Sequence, residues 1–266
     1  MHNELLTIGP VTVYGYGLMI AIGIIVAYML GEKRAASQKL SPEPIFSFLI
    51  WVCISGFTGS KILFCITDFN NVFRSGGNIW DNIKGGWVVY GGIIGGIIGG
   101  IIYCQIKKIS FLAYMDLMVP SVAIAQGFGR FGCYLAGCCY GIEYHSAIST
   151  TFKNSSFAPN NIPLFPTQLL SCLLNFIHFG LLLLLTKVKN TKGFKDGFVM
   201  ACYLILYSIG RYFVECFRGD LIRGSVGKFS TSQFISLFII VIGIVLLIYS
   251  VKGNNKDNKE ENSIEA

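Results

Sequence analysis

Seven long runs of apolar residues, separated by polar stretches, organise the 266-residue chain. Each run is close to the length of about 17–25 residues that an α-helix needs to cross the hydrocarbon core of a bilayer. The pattern therefore predicts an all-α integral membrane protein with seven transmembrane helices. We place these helices at Val11–Leu30, Ile45–Ile66, Trp87–Tyr103, Phe111–Gly129, Pro166–Thr186, Phe198–Phe217 and Ser232–Val251.

The composition supports this class, because the mean hydropathy is +0.61 and only 13% of the residues are charged. Soluble domains carry about 25% charged residues. We predict a transmembrane domain at 1–251 and a polar cytoplasmic tail at 252–266, which we expect to be disordered. The net charge of +7 lies mostly between the helices, so it bears on membrane topology and not on nucleic-acid binding.

The distribution of lysine and arginine predicts the orientation in the membrane. Twelve of these 21 residues follow helices one, three, five and seven, and six lie in the loops of the opposite side. Because basic residues concentrate on the cytoplasmic side, we expect the N-terminus outside and the C-terminus in the cytoplasm. The loops at 68–86 and 142–165 are then external and could cover a site that faces outward.

The stretch GRFGCYLAGCCYG, Gly129–Gly141, carries a permanent cation at or just beyond the predicted end of helix four. The Arg130 guanidinium cannot lose its charge, so membrane depth is costly unless an anion meets it. The glycines leave backbone N–H groups uncovered and the stretch has no carboxylate, which favours binding of an external anion. The alternative is an arginine that extends to the lipid headgroups without binding a substrate.

Three of the nine cysteines, Cys133, Cys138 and Cys139, cluster in this stretch. The sequence has neither a disulfide framework nor a paired CxxC zinc spacing, and we expect no metal and no cofactor. Cys133 or Cys138 could act as a nucleophile, with a thiolate favoured by neighbouring cations. The alternatives are packing as small apolar residues or an external disulfide.

Helix six carries a charged stripe. Four residues, spaced by four, four and three positions, share one face: Tyr207, Arg211, Glu215 and Arg218. Arg211 can pair with Glu215 and Arg218 can also reach this carboxylate, so one cation is expected to remain unpaired. Together with Arg130, this excess charge favours binding of a phosphate headgroup. An internal salt bridge that only orients the helix is the alternative.

Helix three is rich in glycine. Its glycines form two rows spaced by four residues, with Gly91, Gly95 and Gly99 in one row and Gly92, Gly96 and Gly100 in the other. Small residues at this spacing let a second helix approach closely. We therefore expect the rows to pack helices together.

Six motifs, taken in order, resemble those of the prolipoprotein diacylglyceryl transferases of bacteria along nearly the whole chain. They are IGPVTVYGYGLM (Ile8–Met19), GGWVVYGGIIGG (Gly85–Gly96), GRFGCYLAGCCYG, FPTQLL (Phe165–Leu170), YSIGRYFVECFRGD (Tyr207–Asp220) and FSTSQFIS (Phe229–Ser236). The resemblance implies an enzyme of the bacterial cytoplasmic membrane that moves diacylglyceryl from phosphatidylglycerol to the lipobox cysteine thiol of a preprolipoprotein. It implies phosphatidylglycerol, the preprolipoprotein signal peptide and membrane lipids as partners, and no nucleic acid.

The resemblance also implies roles for individual residues. Arg130 and Arg211 would hold the headgroup phosphate and stabilise charge on the leaving glycerol phosphate. Tyr90 and Glu215 complete the expected catalytic set, and Tyr90 stands where the family usually has a histidine. The expected substrate-binding residues are Arg130, Arg211, Tyr16, Tyr207, Arg218, Gly91 and Gly92. The chain has Cys133 and Cys138 where an asparagine and a glutamate are usual, and Phe165 where a histidine often stands.

Two other functions remain open from the sequence. A membrane transferase of the same fold could use another lipid or another acceptor, because cysteines replace polar residues of the family pattern. A transporter or lipid-binding protein without chemistry would also fit seven helices with glycine rows and buried charges.

Overall fold

The computed structural model describes residues 4–8, 11–73, 82, 86–220, 225–226 and 229–264. Within these ranges seven helices are long and apolar enough to cross a membrane, which confirms the predicted all-α transmembrane class. The helices are α1 (Gly15–Ala35), α2 (Glu43–Thr67), α3 (Val89–Lys107), α4 (Phe111–Ala136), α5 (Thr167–Lys192), α6 (Phe198–Glu215) and α7 (Thr231–Ile264). The shorter elements are a 3-10 helix (Ala36–Gln38), a five-residue helix (Phe69–Phe73) and the strands β1 (Glu4–Ile8), β2 (Val11–Tyr14), β3 (Thr150–Thr151), β4 (Pro163–Leu164), β5 (Ser225–Val226) and β6 (Phe229–Ser230).

The N-terminal segment forms an antiparallel hairpin before the first helix. β1 pairs with β2, and Leu6 lies opposite Val13. The β-branched residues of this segment favour an extended conformation. α1 therefore begins at Gly15 and not at the predicted Val11, because the intervening residues pair with β1 instead of entering the helix.

Helix α4 is longer than predicted, since it passes Gly129 and continues to Ala136. Its glycines do not end the helix, and Gly127 lies in close packing with α5. A Cβ added at Gly127 would lie 2.5 Å from the ring of Phe176, so a larger residue would displace that ring. Arg130 is consequently inside the helix and not beyond its end.

The C-terminal tail also differs from the prediction. The backbone of α7 is helical to Ile264, so the prediction of a disordered tail is wrong for most of the segment 252–266. Lysine and glutamate are good helix formers, and a helix that already exists extends without a new nucleation step.

The structure describes one of the two predicted external loops far more fully than the other. Most of the loop at 68–86 lies outside the described residues. The loop at 142–165 contains the β3–β4 pair, and its Phe152 is buried against the ring of Tyr134 at a centroid distance of 6.0 Å. This loop therefore has a small apolar core of its own beside the end of α4.

The chain divides into two compact units, Met1–Gly31 with Met115–Ala266, and Glu32–Tyr114. In the first unit α5 packs against α6, and α6 packs against α7. A cluster of buried apolar side chains fills its centre: Val119, Ala123, Leu182, Phe198 and Val199.

A buried carboxylate ties three helices of this first unit together. Asp116 of α4 is inaccessible to solvent and accepts hydrogen bonds from the backbone N–H groups of Gly197 at 2.9 Å and Met200 at 2.8 Å. It also forms an ion pair of 2.9 Å with Lys189 of α5. A negative charge satisfies the unpaired N–H groups at a helix N-terminus, so Asp116 caps α6 from a neighbouring helix.

In the second unit, α2 and α3 approach closely along one glycine row. A Cβ added at Gly95 would lie 2.5 Å from the carbonyl oxygen of Ser55 and 3.0 Å from Cα of Gly59. A Cβ at Gly96, on the other row, would meet Val52 at an ordinary distance of 3.5 Å. Close packing is thus confirmed for the row that contains Gly95, while Gly96 has space for a side chain.

We predict that Gly95→Ala lowers the free energy of unfolding by about 1–3 kcal/mol, because the added methyl group forces the backbones of α2 and α3 apart. The matched change Gly96→Ala adds the same group where space exists, and should change stability by less than about 0.5 kcal/mol. Thermal unfolding of the variants in detergent, followed by circular dichroism, measures both. Equal midpoints for the two variants would contradict the close approach.

Candidate functional site

One cavity of the first unit is lined by polar residues from three helices, and its volume is about 150 Å³. The polar lining comes from Arg130 of α4, Ser171, Asn175 and His178 of α5, and Tyr207 and Arg211 of α6. The rest of the lining is mostly aliphatic and includes Leu174, Leu181 and Leu206. A cationic region beside apolar walls suits a ligand with an anionic head and a hydrocarbon body.

Arg130 is a cation that no carboxylate neutralises within the described part of the chain. Its guanidinium interacts electrostatically with Tyr207 and Cys133 and lies in the field of a second cation, Arg218. Burying a charge without a partner is costly, and a nearby like charge adds to the cost. The cavity therefore offers a place for an anion that these residues do not themselves supply.

Arg211 and Glu215 form the ion pair that the sequence predicts. Nη2 of Arg211 lies 2.7 Å from Oε2 of Glu215, and only 12% and 9% of the two side chains are exposed. The same Nη2 donates a hydrogen bond of 2.8 Å to the hydroxyl group of Ser232 on α7. The pair therefore also links α6 to α7.

Arg218 reaches Glu215 as expected, but its closer partner is Asp220. α6 ends at Glu215, so Arg218 lies beyond the helix, in a β-bridge with Gly141. Its Nε and Nη2 donate to the carboxylate of Asp220 at 2.8 and 2.6 Å, whereas Oε2 of Glu215 is 3.9 Å from Nε. The prediction of an unpaired cation on this stripe is therefore wrong, because Asp220 supplies a second carboxylate. Among the described residues, the site cation without a carboxylate partner is Arg130.

His178 is a cavity residue that sequence reasoning missed. Its side chain is buried and stacks on the ring of Tyr203, with a centroid distance of 5.2 Å and an interplanar angle of 8°. Its Nε2 has no hydrogen-bond partner among the described residues. Ser171 and Asn175 precede it on the same face of α5, so the recurrence of polar residues along one side of an apolar helix was the available signal.

Three cysteines come together where α4 ends. The sulfur atoms of Cys133, Cys138 and Cys139 all lie within 4.8 Å of one another. Gly137 and Cys139 have φ angles of 73° and 60°, so the chain turns sharply after the helix. Hydrogen bonds from the other two thiols, and then the charge of Arg218, lower the pKa of Cys139 against the opposing effect of burial.

The other expected site residues divide between the two units. In the first unit, Tyr16 of α1 packs against Gly132 of α4, where an added Cβ would lie 3.2 Å from the Tyr16 ring. Tyr16 also interacts electrostatically with Arg130. The second unit holds Tyr90, Gly91 and Gly92 at the start of α3. Gly91 there faces the backbone of Gly59, and Tyr90 is 36% exposed.

We predict that Arg211→Ala lowers membrane abundance and the free energy of unfolding by about 3–5 kcal/mol, because it leaves the buried Glu215 carboxylate without its closest partner. The double change Arg211→Ala with Glu215→Ala removes both charges and should restore most of the loss. Immunoblots of membranes and thermal unfolding in detergent measure the effect. A double variant as unstable as the single one would contradict the coupling of the two residues.

Comparison with known proteins places the chain among named relatives. A family model described as prolipoprotein diacylglyceryl transferase matches residues 3–249. The chain is 46% identical over 232 residues to the phosphatidylglycerol–prolipoprotein diacylglyceryl transferase of Clostridium tetani. The aligned region covers 87% of this chain and 91% of that protein. It is 45% identical over 250 residues to transferase 2 of Clostridium perfringens, covering 93% and 95% of the two chains. The transferase of Listeria innocua is 32% identical over 247 residues, covering 91% and 87%. The chain therefore belongs to the prolipoprotein diacylglyceryl transferase family.

Proposed function

We propose that this protein transfers the diacylglyceryl group of phosphatidylglycerol to the lipobox cysteine thiol of a preprolipoprotein, the first step of bacterial lipoprotein maturation. The observation that carries the proposal is Arg130, a cavity cation without a carboxylate partner in the described ranges. A lipid phosphate brings the missing charge, and its acyl chains suit the aliphatic walls. The names of the relatives in Clostridium and Listeria support the same reaction.

Arg130 and Arg211 are the proposed ligands of the phosphate. A guanidinium group presents a planar fork of N–H donors that matches two phosphate oxygens. The contacts of Arg211 with Glu215 and Ser232 both use Nη2, so we assign its other N–H groups to the lipid. Tyr16, Tyr207 and Arg218 would supply further hydrogen bonds and charge around the headgroup.

The reaction forms a thioether and releases glycerol phosphate. The thiol sulfur attacks the glycerol carbon that carries the phosphate, the S–C bond forms as the C–O bond breaks, and the electron pair leaves with the phosphate. Negative charge grows on the departing oxygen, so guanidinium donors stabilise the transition state more than the bound lipid.

The thiol must also lose its proton. Tyr90 and Glu215 belong to the proposed catalytic set on the resemblance to the family, and Gly91 and Gly92 join the substrate-binding set on the same ground. His178 is the cavity residue whose Nε2 is available to accept a hydrogen bond or a proton. We therefore propose that His178 contributes to proton transfer in a chain that has a tyrosine at the family's histidine position.

We further propose that the protein lies in the bacterial cytoplasmic membrane with its N-terminus outside and its C-terminus in the cytoplasm. The concentration of lysine and arginine after α1, α3, α5 and α7 supports this orientation. The end of α4 that carries Arg130 is then the external end, where a preprolipoprotein presents its lipobox cysteine after export.

Labelling with an impermeant thiol reagent tests the orientation. Asn160, between α4 and α5, and Asn190, near the end of α5, are both exposed. We predict that a cysteine at Asn160 is labelled in intact cells, whereas a cysteine at Asn190 is labelled only after permeabilisation. The unsubstituted chain gives the background from its own cysteines. The reverse pattern would overturn the orientation.

Turnover of labelled phosphatidylglycerol with a lipobox peptide tests the function. We predict that Arg130→Ala lowers turnover by about 10²–10³-fold, the loss typical of one donor to a developing negative charge. Its membrane abundance should stay normal, because no carboxylate partner is left unpaired. Arg130→Lys should recover only part of the activity, since an ammonium group cannot bind two oxygens through a planar fork.

The matched control for this experiment is Phe131→Ala, the next residue on α4, which is 39% exposed. This variant should retain turnover. Absence of a diacylglyceryl product from the unaltered chain would reject the proposed function in favour of lipid binding or transport. Near-normal turnover in Arg130→Ala would reject the role of Arg130 and leave the function standing.

A further inference from the structure

Three thiols meet beside the proposed phosphate site, and the reaction as written above gives them no task. Cys133, Cys138 and Cys139, here termed the three-cysteine cluster, are partly buried, and their sulfur atoms lie within 4.8 Å of one another. Neither Cys133 nor Cys138 takes part in a disulfide. Among histidine, cysteine and carboxylate side chains of the described residues, these three form the group close enough to share one metal ion.

Two side chains of α5 hold the backbone of the adjacent residues Cys138 and Cys139 in place. Nε2 of Gln168 donates to the carbonyl oxygen of Cys138 at 2.9 Å, and Oγ1 of Thr167 donates to that of Cys139 at 2.7 Å. Both donors are almost completely buried, so water does not compete with them. Cys139 is also held at a φ of 60°, a left-handed conformation that is unfavourable for a residue with a Cβ. The fold therefore fixes the backbone that carries two of the three sulfurs.

The separation of the sulfurs matches a compact metal site. Thiolates are soft ligands that select zinc and related ions over magnesium and calcium, which prefer oxygen. In a tetrahedral zinc site with Zn–S bonds of about 2.3 Å, the sulfurs lie about 3.8 Å apart. Separations of at most 4.8 Å need only a small contraction to reach that geometry.

Nearby cations balance the charge that such a site creates. Three thiolates and one divalent cation have a net charge of −1. Arg218 forms a β-bridge with Gly141, two residues after Cys139, and Arg130 lies three positions before Cys133 on α4, so both cations are close to the cluster. Because Arg130 also lines the cavity, an ion bound by the cluster would lie next to the proposed phosphate site.

We propose that the three-cysteine cluster binds one thiophilic divalent ion of the zinc class through three thiolates, and that the open fourth position binds the acceptor thiol. Zinc takes four ligands, and three protein ligands with one open position is the pattern of catalytic zinc sites.

The second half of this proposal rests on the function proposed above. A thiol that coordinates a metal is deprotonated, so the acceptor sulfur would enter the reaction as a thiolate. Its proton would pass to His178, the residue proposed above for proton transfer, the S–C bond would form, and the C–O bond to glycerol phosphate would break.

Cobalt(II) titration of the reduced, chelator-treated full chain in detergent tests the metal site without lipid or peptide. We expect about one Co²⁺ per chain, with thiolate-to-metal charge-transfer absorption that Zn²⁺ abolishes by displacement. Cys138→Ser should weaken binding by about 100-fold or more. The matched change Cys216→Ser, at an exposed cysteine, should leave binding intact. No such absorption in the unaltered chain, equal absorption in both variants, or a disulfide formed in place of the metal site would each overturn the proposal.

A lipobox peptide added to the cobalt form tests the open position. The cysteine peptide should intensify the charge-transfer band as a fourth thiolate binds, and a serine peptide should not. Equal spectra with the two peptides would overturn this part. Full lipid turnover by metal-free Cys138→Ser protein would also overturn it while leaving the transferase function intact. If the metal-loaded chain shows no turnover, the proposed transferase function fails. The cobalt titration still decides by itself whether the three-cysteine cluster binds a metal ion.

Discussion

The site depends on one electrostatic constraint, the charge of Arg130 inside an apolar bundle, for which the described residues supply no carboxylate partner. The neighbouring ionic groups are matched, since Arg211 lies 2.7 Å from Glu215 and Arg218 lies 2.6 Å from Asp220. A guanidinium group stays protonated in any protein environment, so it cannot relieve the cost of burial by losing its charge. The described residues supply no carboxylate as its counter-charge, and a phospholipid is an anion that carries its own hydrocarbon.

The scaffold holds that charge in place from the far end of the same helix. Asp116 and Arg130 lie about 21 Å apart along α4 at 1.5 Å per residue. Asp116 caps α6 and pairs with Lys189 of α5, so the three helices that line the cavity are tied together at one end. A fixed arrangement of donors is what electrostatic stabilisation of a leaving group requires, because donors that must reorganise lose much of their effect.

Hydropathy alone predicts the seven helices, because the length of a membrane span leaves few alternatives. It does not predict where tertiary contacts extend or end them. The predicted fourth span ends at Gly129, yet Gly127 and Gly132 lie against Phe176 and Tyr16, and α4 continues to Ala136. α6 stops at Glu215, because the following residues pair with the chain around Gly141.

The site shows the same division between local pattern and tertiary structure. The Arg211–Glu215 pair follows from spacing on one helix, whereas the partner of Arg218 depends on the turn after it. The short distances among Cys133, Cys138 and Cys139 depend on the left-handed conformation of Cys139, which sequence spacing does not predict.

The central claim is that Arg130 binds the phosphate of the lipid, and calorimetric titration of the purified chain with glycerol 1-phosphate tests it most directly. The account predicts that Arg130→Ala weakens this binding by about 10–150-fold, the value of one charge-assisted hydrogen bond of about 1.5–3 kcal/mol. Equal affinity in the two proteins would contradict it.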